Sequence, residues 1–346
     1  MEFTFRKYKE EDREQVIKLL KHLWKFSDND KHKYFDWKYT QNPYTQTPMG
    51  FVALDKDKIV AFRGYMIQPM HYKENVFLNA SLADTVTDPD YRRKGLFSKI
   101  TEYSIQELDK DKNYKVSSNS SSGGATLNGY LKLGWIPLAP RNQLFSFSIN
   151  SLRTKKREIE FPKEIKQKNK ETIILSKSPK ISEMAVLAEK ESEQNTVSIK
   201  KDPTYLKWRL SNPNGNFLYI YYYKEKELVA YIILKESENR KYDIIDYEST
   251  KKQQLKILLK TIHRKLSPRY ILCWTVNPND KICNNPRYYG FVKLDIILKH
   301  IQKFQKPPFL IRLTCLNQNE DQWMLGQIDL RKANSWNINK IIGDEI

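Results

Sequence analysis

The stretch Asp84 to Thr101, DTVTDPDYRRKGLFSKIT, decides the fold. An apolar run from Asn79 to Thr87 reads as a buried strand, Asp88-Pro89-Asp90 as a turn, and a helix begins near Gly95. Arg92, Arg93, Lys94 and Gly95 stand where the turn becomes the helix. A helix start leaves about four backbone N–H groups unpaired and carries a partial positive charge, so it attracts phosphate. Gly95 lets a ligand approach the backbone, and the three cations beside it add charge. Strand, turn and basic helix start together describe a pyrophosphate cradle; the plain alternative is a charged helix N-terminus after a turn.

Those residues carry a family resemblance. The stretch is similar to the acyl-CoA-binding segment of GNAT-type N-acyltransferases, Arg/Gln-x-x-Gly-x-Gly/Ala, here Arg92-x-x-Gly95-x-Phe97. The last position departs from that pattern, since Phe97 is bulky where Gly or Ala is usual; a branch of the family reading RRxGL has the same feature. No Gly-Lys-Ser/Thr follows, which excludes a Walker A loop, and a single glycine excludes a dinucleotide fingerprint.

Working outward to the whole chain, 346 residues favour two domains, each large enough for its own core. An apolar share of 40% excludes a disordered chain, and no apolar run approaches the roughly 18 residues of a membrane span. The start, MEFTFRKYKEEDRE, is too polar for a secretory signal. Cys273, Cys283 and Cys315 lack metal spacing and read as reduced thiols of a cytoplasmic protein. The net charge of +19 has two readings, a surface that steers a polyanion or lysines spread over solvated faces. The dense cluster, residues 151 to 170, has eight basic and three acidic residues and reads as an exposed linker.

In chain order the pattern predicts a strand at Phe3 to Tyr8, a helix at Glu10 to Phe26, and a short helical piece from Tyr34 stopped by Pro43. A hairpin follows, Phe51 to Leu54 and Lys58 to Gln68, and then the strand that feeds the cradle. Beyond the cradle helix come a strand at Tyr114 to Ser118 and a helix from about Ala125 stopped by Gly134. Strands at Trp135 to Leu138 and Leu144 to Ile149 are expected to close the unit.

The second half repeats the first. Tyr34-Phe-Asp-Trp37-Lys38 with Asn42-Pro43 returns about 170 residues later as Tyr205-Leu-Lys-Trp208-Arg209 with Asn212-Pro213. A hairpin follows each, then a strand ending in an acid, Leu82-Ala83-Asp84 and Ile244-Ile245-Asp246. Leu133-Gly134-Trp135 is echoed by Tyr289-Gly290-Phe291. Several landmarks in one order mark two copies of one domain. The resemblance therefore implies an α/β chain of two tandem GNAT-like domains, each a twisted mixed β-sheet flanked by helices. The expected division is 1–150 for the catalytic domain, 151–170 for the linker and 171–346 for a degenerate copy. The second copy lacks Arg-x-x-Gly, and Pro286 stands where Tyr130 falls in the first. Residues 306–346 extend it with strand-like FLIRLTCL.

The resemblance assigns roles to residues. Arg92, Arg93, Lys94, Gly95, Leu96 and Phe97 would grip the pyrophosphate, and a backbone N–H at Val86 or Thr87 would polarise the thioester carbonyl. Tyr130, in Tyr-x-x-x-Gly-Trp, would be the acid for the departing thiolate; otherwise it is a core tyrosine. Asp84, at the end of an apolar strand, is the candidate base; a structural acid that pairs with Arg63 or caps the cradle is the other reading, and Asp246 in the copy without a cradle favours it. Asn119 would bond the pantetheine or the acceptor, or else simply end its strand. The five histidines form no ligand spacing, so no metal is implied.

The expected activity is transfer of an acyl group, with acetyl-CoA as donor, to a small-molecule primary amine. The doubled architecture resembles enzymes that act on amino sugars, including nucleotide-linked ones, of surface-polysaccharide synthesis. Two alternatives stand beside it. One is a Fem-like aminoacyl transferase, against which the retained Arg92-x-x-Gly95 argues. The other is a non-enzymatic basic module for RNA or anionic lipid, whose binding would weaken steeply with salt.

Overall fold

The structure, a computed structural model, describes the chain apart from residues 1, 26, 122, 141, 148–158, 168, 193–194, 294–307 and 344–346. Thr4–Lys7 (β1) leads through a short 3-10 turn into Arg13–Leu20 (α1) and then Asp28–Phe35 (α2), which runs on into a π turn at Asp36–Thr40. Gly50–Asp55 (β2), Lys58–Tyr72 (β3) and Asn75–Thr87 (β4) form a meander. Leu96–Asp109 (α3), Tyr114–Asn119 (β5), Gly124–Lys132 (α4) and Ile136–Pro140 (β6) follow. The helix expected over Glu10 to Phe26 is shorter, because its regular turns end at Leu20.

The remaining strands are Asn142–Phe147 (β7), Lys163–Lys166 (β8), Glu171–Ser176 (β9), Val197–Ile199 (β10), Phe217–Lys224 (β11), Glu227–Ser237 (β12) and Lys241–Ser249 (β13). Tyr270–Thr275 (β14), Val292–Lys293 (β15) and Pro308–Leu313 (β16) follow, with three two-residue strands after them, and the longer helices among them are Ile181–Lys190 (α5), Pro203–Leu210 (α6) and Lys252–Leu266 (α7). Two compact units result. One holds Met1–Pro140, Ser211–Pro213 and Pro307–Lys332; the other holds Arg141–Leu210, Asn214–Lys306 and Ala333–Ile346.

The first unit's sheet runs β1-β2-β3-β4-β5-β16-β6, and the second's runs β15-β7-β14-β13-β12-β11-β9-β8. The sheets are therefore not built from continuous stretches. FLIRLTCL, expected to extend the second copy, is β16 and lies between β5 and β6. Phe309, Leu310, Ile311 and Leu313 are all buried there, as a central strand covered on both faces requires. Conversely β7, expected to close the first unit, pairs with β14 and β15 of the second. Of the stretch read as a linker, residues 151–158 lie outside the described ones, and Lys163–Lys166 is a strand paired with β9. The apolar pattern showed that these segments were strands; nothing local in it says which sheet they join.

The doubling is visible in backbone detail. In the first unit the β3·β4 register slips between Arg63–Thr85 and Tyr65–Leu82, and in the second the β12·β13 register slips between Ile233–Asp246 and Leu234–Ile244. Each bulge sits beside the strand's acid. Gly134 and Gly290 both take left-handed φ, 87° and 82°. Trp135 N–H then reaches Tyr130 O (3.1 Å) and Phe291 N–H reaches Pro286 O (2.9 Å). The αL glycine and the backward hydrogen bond form the same helix stop in both copies.

A strand wedge and a basic helix start

β4 and β5 run parallel and pair only from Leu78–Tyr114 to Ser81–Ser118. Past Ser81, residues 82–87 keep β3 on one edge, while β5 continues along β16 to Asn119. The other edge of β4 thus faces an opening with no ladder partner. Asp88 N–H bonds Val60 O (2.9 Å), which fixes the alternation along the strand. Val86 N–H then points toward β3 and Thr87 N–H points into the wedge. Of the two candidate donors named from sequence, Thr87 is the one placed to use its amide.

The wedge opens beside the start of α3, whose Leu96, Ile100, Ile105 and Leu108 are buried at helical spacing. Each such side chain contributes roughly 1.5–3 kcal/mol on burial, which holds the helix start in register with the strand. Its N-cap is Gly95, in the left-handed region at φ 74°, with no side-chain cap and no acid in the first turn. A Cβ built on Gly95 meets no atom within 4 Å, so the approach to the free N–H groups is open. Arg93 is also left-handed, at φ 62°. Arg92, Arg93 and Lys94 are exposed around the helix start. These features fit a polyphosphate group.

The second unit differs at the corresponding places. The start of α7 is closed by its own Gln254, whose Oε1 accepts from Lys251 N–H (3.0 Å) and from Thr250 Oγ1 (2.8 Å). Its strand pair also opens, since β13 and β14 pair only at residues 241–243 and 270–272. Residues 338–340 bridge that opening. Ile338 O accepts from Val276 N–H (3.0 Å) and Thr275 Oγ1 (3.0 Å), Asn339 Nδ2 donates to Asp246 (2.7 Å), and Lys340 pairs with Asp243 (2.6 Å).

Tyr130 lies on α4 with its ring buried against Phe97 (5.2 Å) and Trp135 (5.4 Å). Its hydroxyl accepts from Arg63 Nη1 (2.8 Å) and lies 3.4 Å from Thr85 Oγ1 on the unpaired part of β4. The phenol therefore faces the wedge. Phe97, bulky where Gly or Ala is usual, is accommodated by Gly129: a Cβ there would lie 2.6 Å from Phe97 Cε1. The ring occupies the space of the missing side chain and packs on Tyr130. Gly129→Leu is expected to cost about 1–3 kcal/mol by overpacking, and Phe97→Ala in the same chain to restore most of it, read by thermal unfolding.

Asp84 is not placed as a base. It is buried, and its carboxylate accepts from Trp24 Nε1 (3.0 Å), Lys38 Nζ (2.8 Å) and Tyr39 OH (2.6 Å). A base needs a lone pair open to the acceptor, and these donors enclose the group. Arg63 is not its partner either, because Arg63 stands opposite Thr85, whose side chain alternates to the other face from Asp84. Tyr39 reaches the carboxylate over Gly64, where any Cβ would collide with the phenol. Asp246 is treated alike, accepting from Lys201 (2.6 Å), Tyr231 (2.8 Å) and Asn339 (2.7 Å). Burial and Asp246 together push the Tyr231 phenol far above its ordinary range. Two bulge acids are thus each held by a lysine and a tyrosine.

Asn119 Oδ1 accepts from Ser121 N–H (2.9 Å), the turn role that ends a strand. Thr85 and Gly129 escaped the reading of the sequence, as did the contact of Arg63 with Tyr130. Only the strand register and the helix packing bring them to the wedge. Among the described residues no group of three or more His, Cys, Asp or Glu is placed to hold a metal, and no helix is long and apolar enough to cross a membrane.

Comparison with known proteins agrees with this geometry. Residues 4–137 match the family model described as acetyltransferase (GNAT) domain. No curated protein matches the sequence. Among solved structures, a probable N-acyltransferase from Enterococcus faecalis V583 superposes with TM-score 0.64 at 11% identity, over 91% of this chain and 73% of its own. A GCN5-related N-acetyltransferase from Anabaena variabilis gives 0.59 at 13%, over 90% and 73%. A tandem GNAT protein from the clavulanic acid biosynthesis pathway gives 0.53 at 9%, over 91% of this chain and all of its own. At such identities these likenesses speak to fold. The family match is thus confined to residues 4–137, the part that holds the wedge and the basic helix start, and over its whole length the chain shares the fold of solved GNAT structures that include a tandem one.

Proposed function

We propose that the first unit moves an acyl group, acetyl in the simplest case, from acyl-CoA to a primary amine. The observation that carries this reading is the coincidence of an open strand edge, an uncapped basic helix start and a tyrosine hydroxyl at one wedge. The donor supplies a thioester whose carbonyl carbon an amine attacks and whose sulfur leaves. Arg92, Arg93, Lys94 and the N–H groups of Gly95, Leu96 and Phe97 hold the pyrophosphate, each charge-assisted bond contributing roughly 1.5–3 kcal/mol. Thr87 N–H points where the carbonyl oxygen gathers negative charge. Tyr130 gives its proton to the sulfur as the C–S bond breaks. The amine nitrogen forms the C–N bond and loses a proton, so an amide and a free thiol leave and solvent returns the proton to Tyr130. Asp84 serves by holding the β4 bulge beside Thr85. Asn119 shapes the end of β5.

The second unit, with its helix start and strand opening closed by its own residues, takes no donor. An amino sugar, free or nucleotide-linked, heads the acceptors to be tried. The test is thiol release from acetyl-CoA over a panel of amino sugars, nucleotide-linked amino sugars and polyamines. Turnover with at least one amine supports the proposal. Acyl-CoA that stays intact with every amine, while aminoacyl-tRNA is consumed, would replace it with the Fem-like reading.

A further inference from the structure

We propose that Arg63 is a positioning residue for acyl transfer: it turns the Tyr130 proton toward the wedge and holds it there. The inference rests on the role proposed above for Tyr130 and deepens it.

Arg63 is wholly buried, 0% exposed. Among the described residues no carboxylate pairs with it, and its Nε has no hydrogen-bond partner. Its guanidinium instead sits over the rings of Tyr130 (5.2 Å), Phe97 (5.5 Å) and Tyr65 (6.0 Å). Nη2 donates to Thr101 Oγ1 (2.7 Å) and Nη1 to Tyr130 OH (2.8 Å). A buried cation without a counter-ion is a poor way to stabilise a fold, since an apolar side chain of similar volume does as well or better. Three aromatic faces offset only part of that desolvation. Such a residue is kept where its charge is used.

The direction of its hydrogen bond says how. A guanidinium has no lone pair to offer, so at this contact the phenol oxygen must accept. The Tyr130 proton is therefore excluded from the Arg63 side, which leaves it the side of the wedge, where Thr85 Oγ1 lies 3.4 Å away on the unpaired stretch of β4. Thr101 Oγ1 donates onward to Phe97 O (2.6 Å), which anchors the far side of the fork to α3. β3 and α3 thus fix one hydroxyl on α4. In the reaction the negative charge that remains on the Tyr130 oxygen, once its proton has gone to the sulfur, forms beside a fixed cation in a water-poor site.

The experiment is a double-mutant cycle of Arg63→Met and Tyr130→Phe in the full chain, with steady-state kinetics on acetyl-CoA and the best acceptor. Arg63→Met alone is expected to lower kcat about 10- to 100-fold and to change the KM for acetyl-CoA less than about 3-fold, the loss of one charged hydrogen bond. In the Tyr130→Phe background the same change should cost less than about 2-fold, because the group it serves is gone. If Arg63→Met costs as much kcat in that background as in wild type, or raises KM instead, Arg63 is structural and the inference is overturned. Arg63→Gln, which keeps one donor without the charge, is carried through the same cycle and settles the matter should the Met variant not fold. A costless Tyr130→Phe would remove the acid itself, and that result is distinguishable because it appears in the single variant.

Discussion

Tyr130→Phe is expected to lower kcat about 10²- to 10⁴-fold while changing the KM for acetyl-CoA less than about 3-fold. The phenol alone is lost. The ring keeps its edge contacts with Phe97 and Trp135, at 5.2 and 5.4 Å, so packing around α4 is preserved. The Arg63 Nη1 donor loses its acceptor and Thr85 loses a neighbour, which costs stability on the order of 1–3 kcal/mol. Rate and stability therefore move by different amounts, and steady-state kinetics with a thermal melt separates them. Wild-type kcat in this variant would make Tyr130 a core tyrosine. An unchanged kcat with a raised KM would make it a binding residue.

Asp84→Asn is expected to cost about 3–5 kcal/mol of stability, because it takes away the carboxylate charge that pairs with the buried Lys38 ammonium. The pair is tight, at 2.8 Å, and both side chains are within a tenth of full burial. Lys38→Met combined with Asp84→Asn removes both members of the buried pair and should recover most of the loss, read by urea denaturation of the full chain. The same two variants decide between base and structural acid. A structural acid predicts that the double variant, once folded, keeps kcat within about 10-fold of wild type, since the wedge is then held by packing. A base predicts that the double variant is stable and still slowed about 10²-fold or more. The enclosure of Asp84 by Trp24, Lys38 and Tyr39, and the parallel enclosure of Asp246, favour the first outcome.

The basic helix start was legible because it is local. Turn, arginines, glycine and helix start are neighbours in sequence, and the structure keeps them neighbours, with Gly95 as N-cap. The doubling was legible for the same reason, since each landmark is a short segment repeated in order. The role of Asp84 was not, because its partners come from 45 to 60 residues away and are identified only by strand register. Arg63 was invisible as a functional group for a similar reason. In sequence it is a basic residue in the run IVAFRGYMI, and only the register with Thr85 and the packing of α3 and α4 reveal a cation with no counter-ion among the described residues. Phe97 looked like an obstacle at the cradle because its companion, Gly129, is 32 residues away and its absence of side chain leaves no mark of its own. Apolar patterning named β7 and β16 as strands and could not name their sheets, since the pairing that decides it is non-local.

One measurement bears most directly on the central claim, that a single donor site exists and lies at the start of α3. Titration calorimetry of CoA into the full chain is predicted to give one saturable site per chain, abolished by Gly95→Val, whose side chain would need the left-handed φ of 74° and would stand in the open approach to the N–H groups. Binding at two sites would mean that the second unit retains a donor pocket. No saturable binding up to about 1 mM, the upper end of ordinary KM values, or binding indifferent to Gly95→Val, would contradict the account.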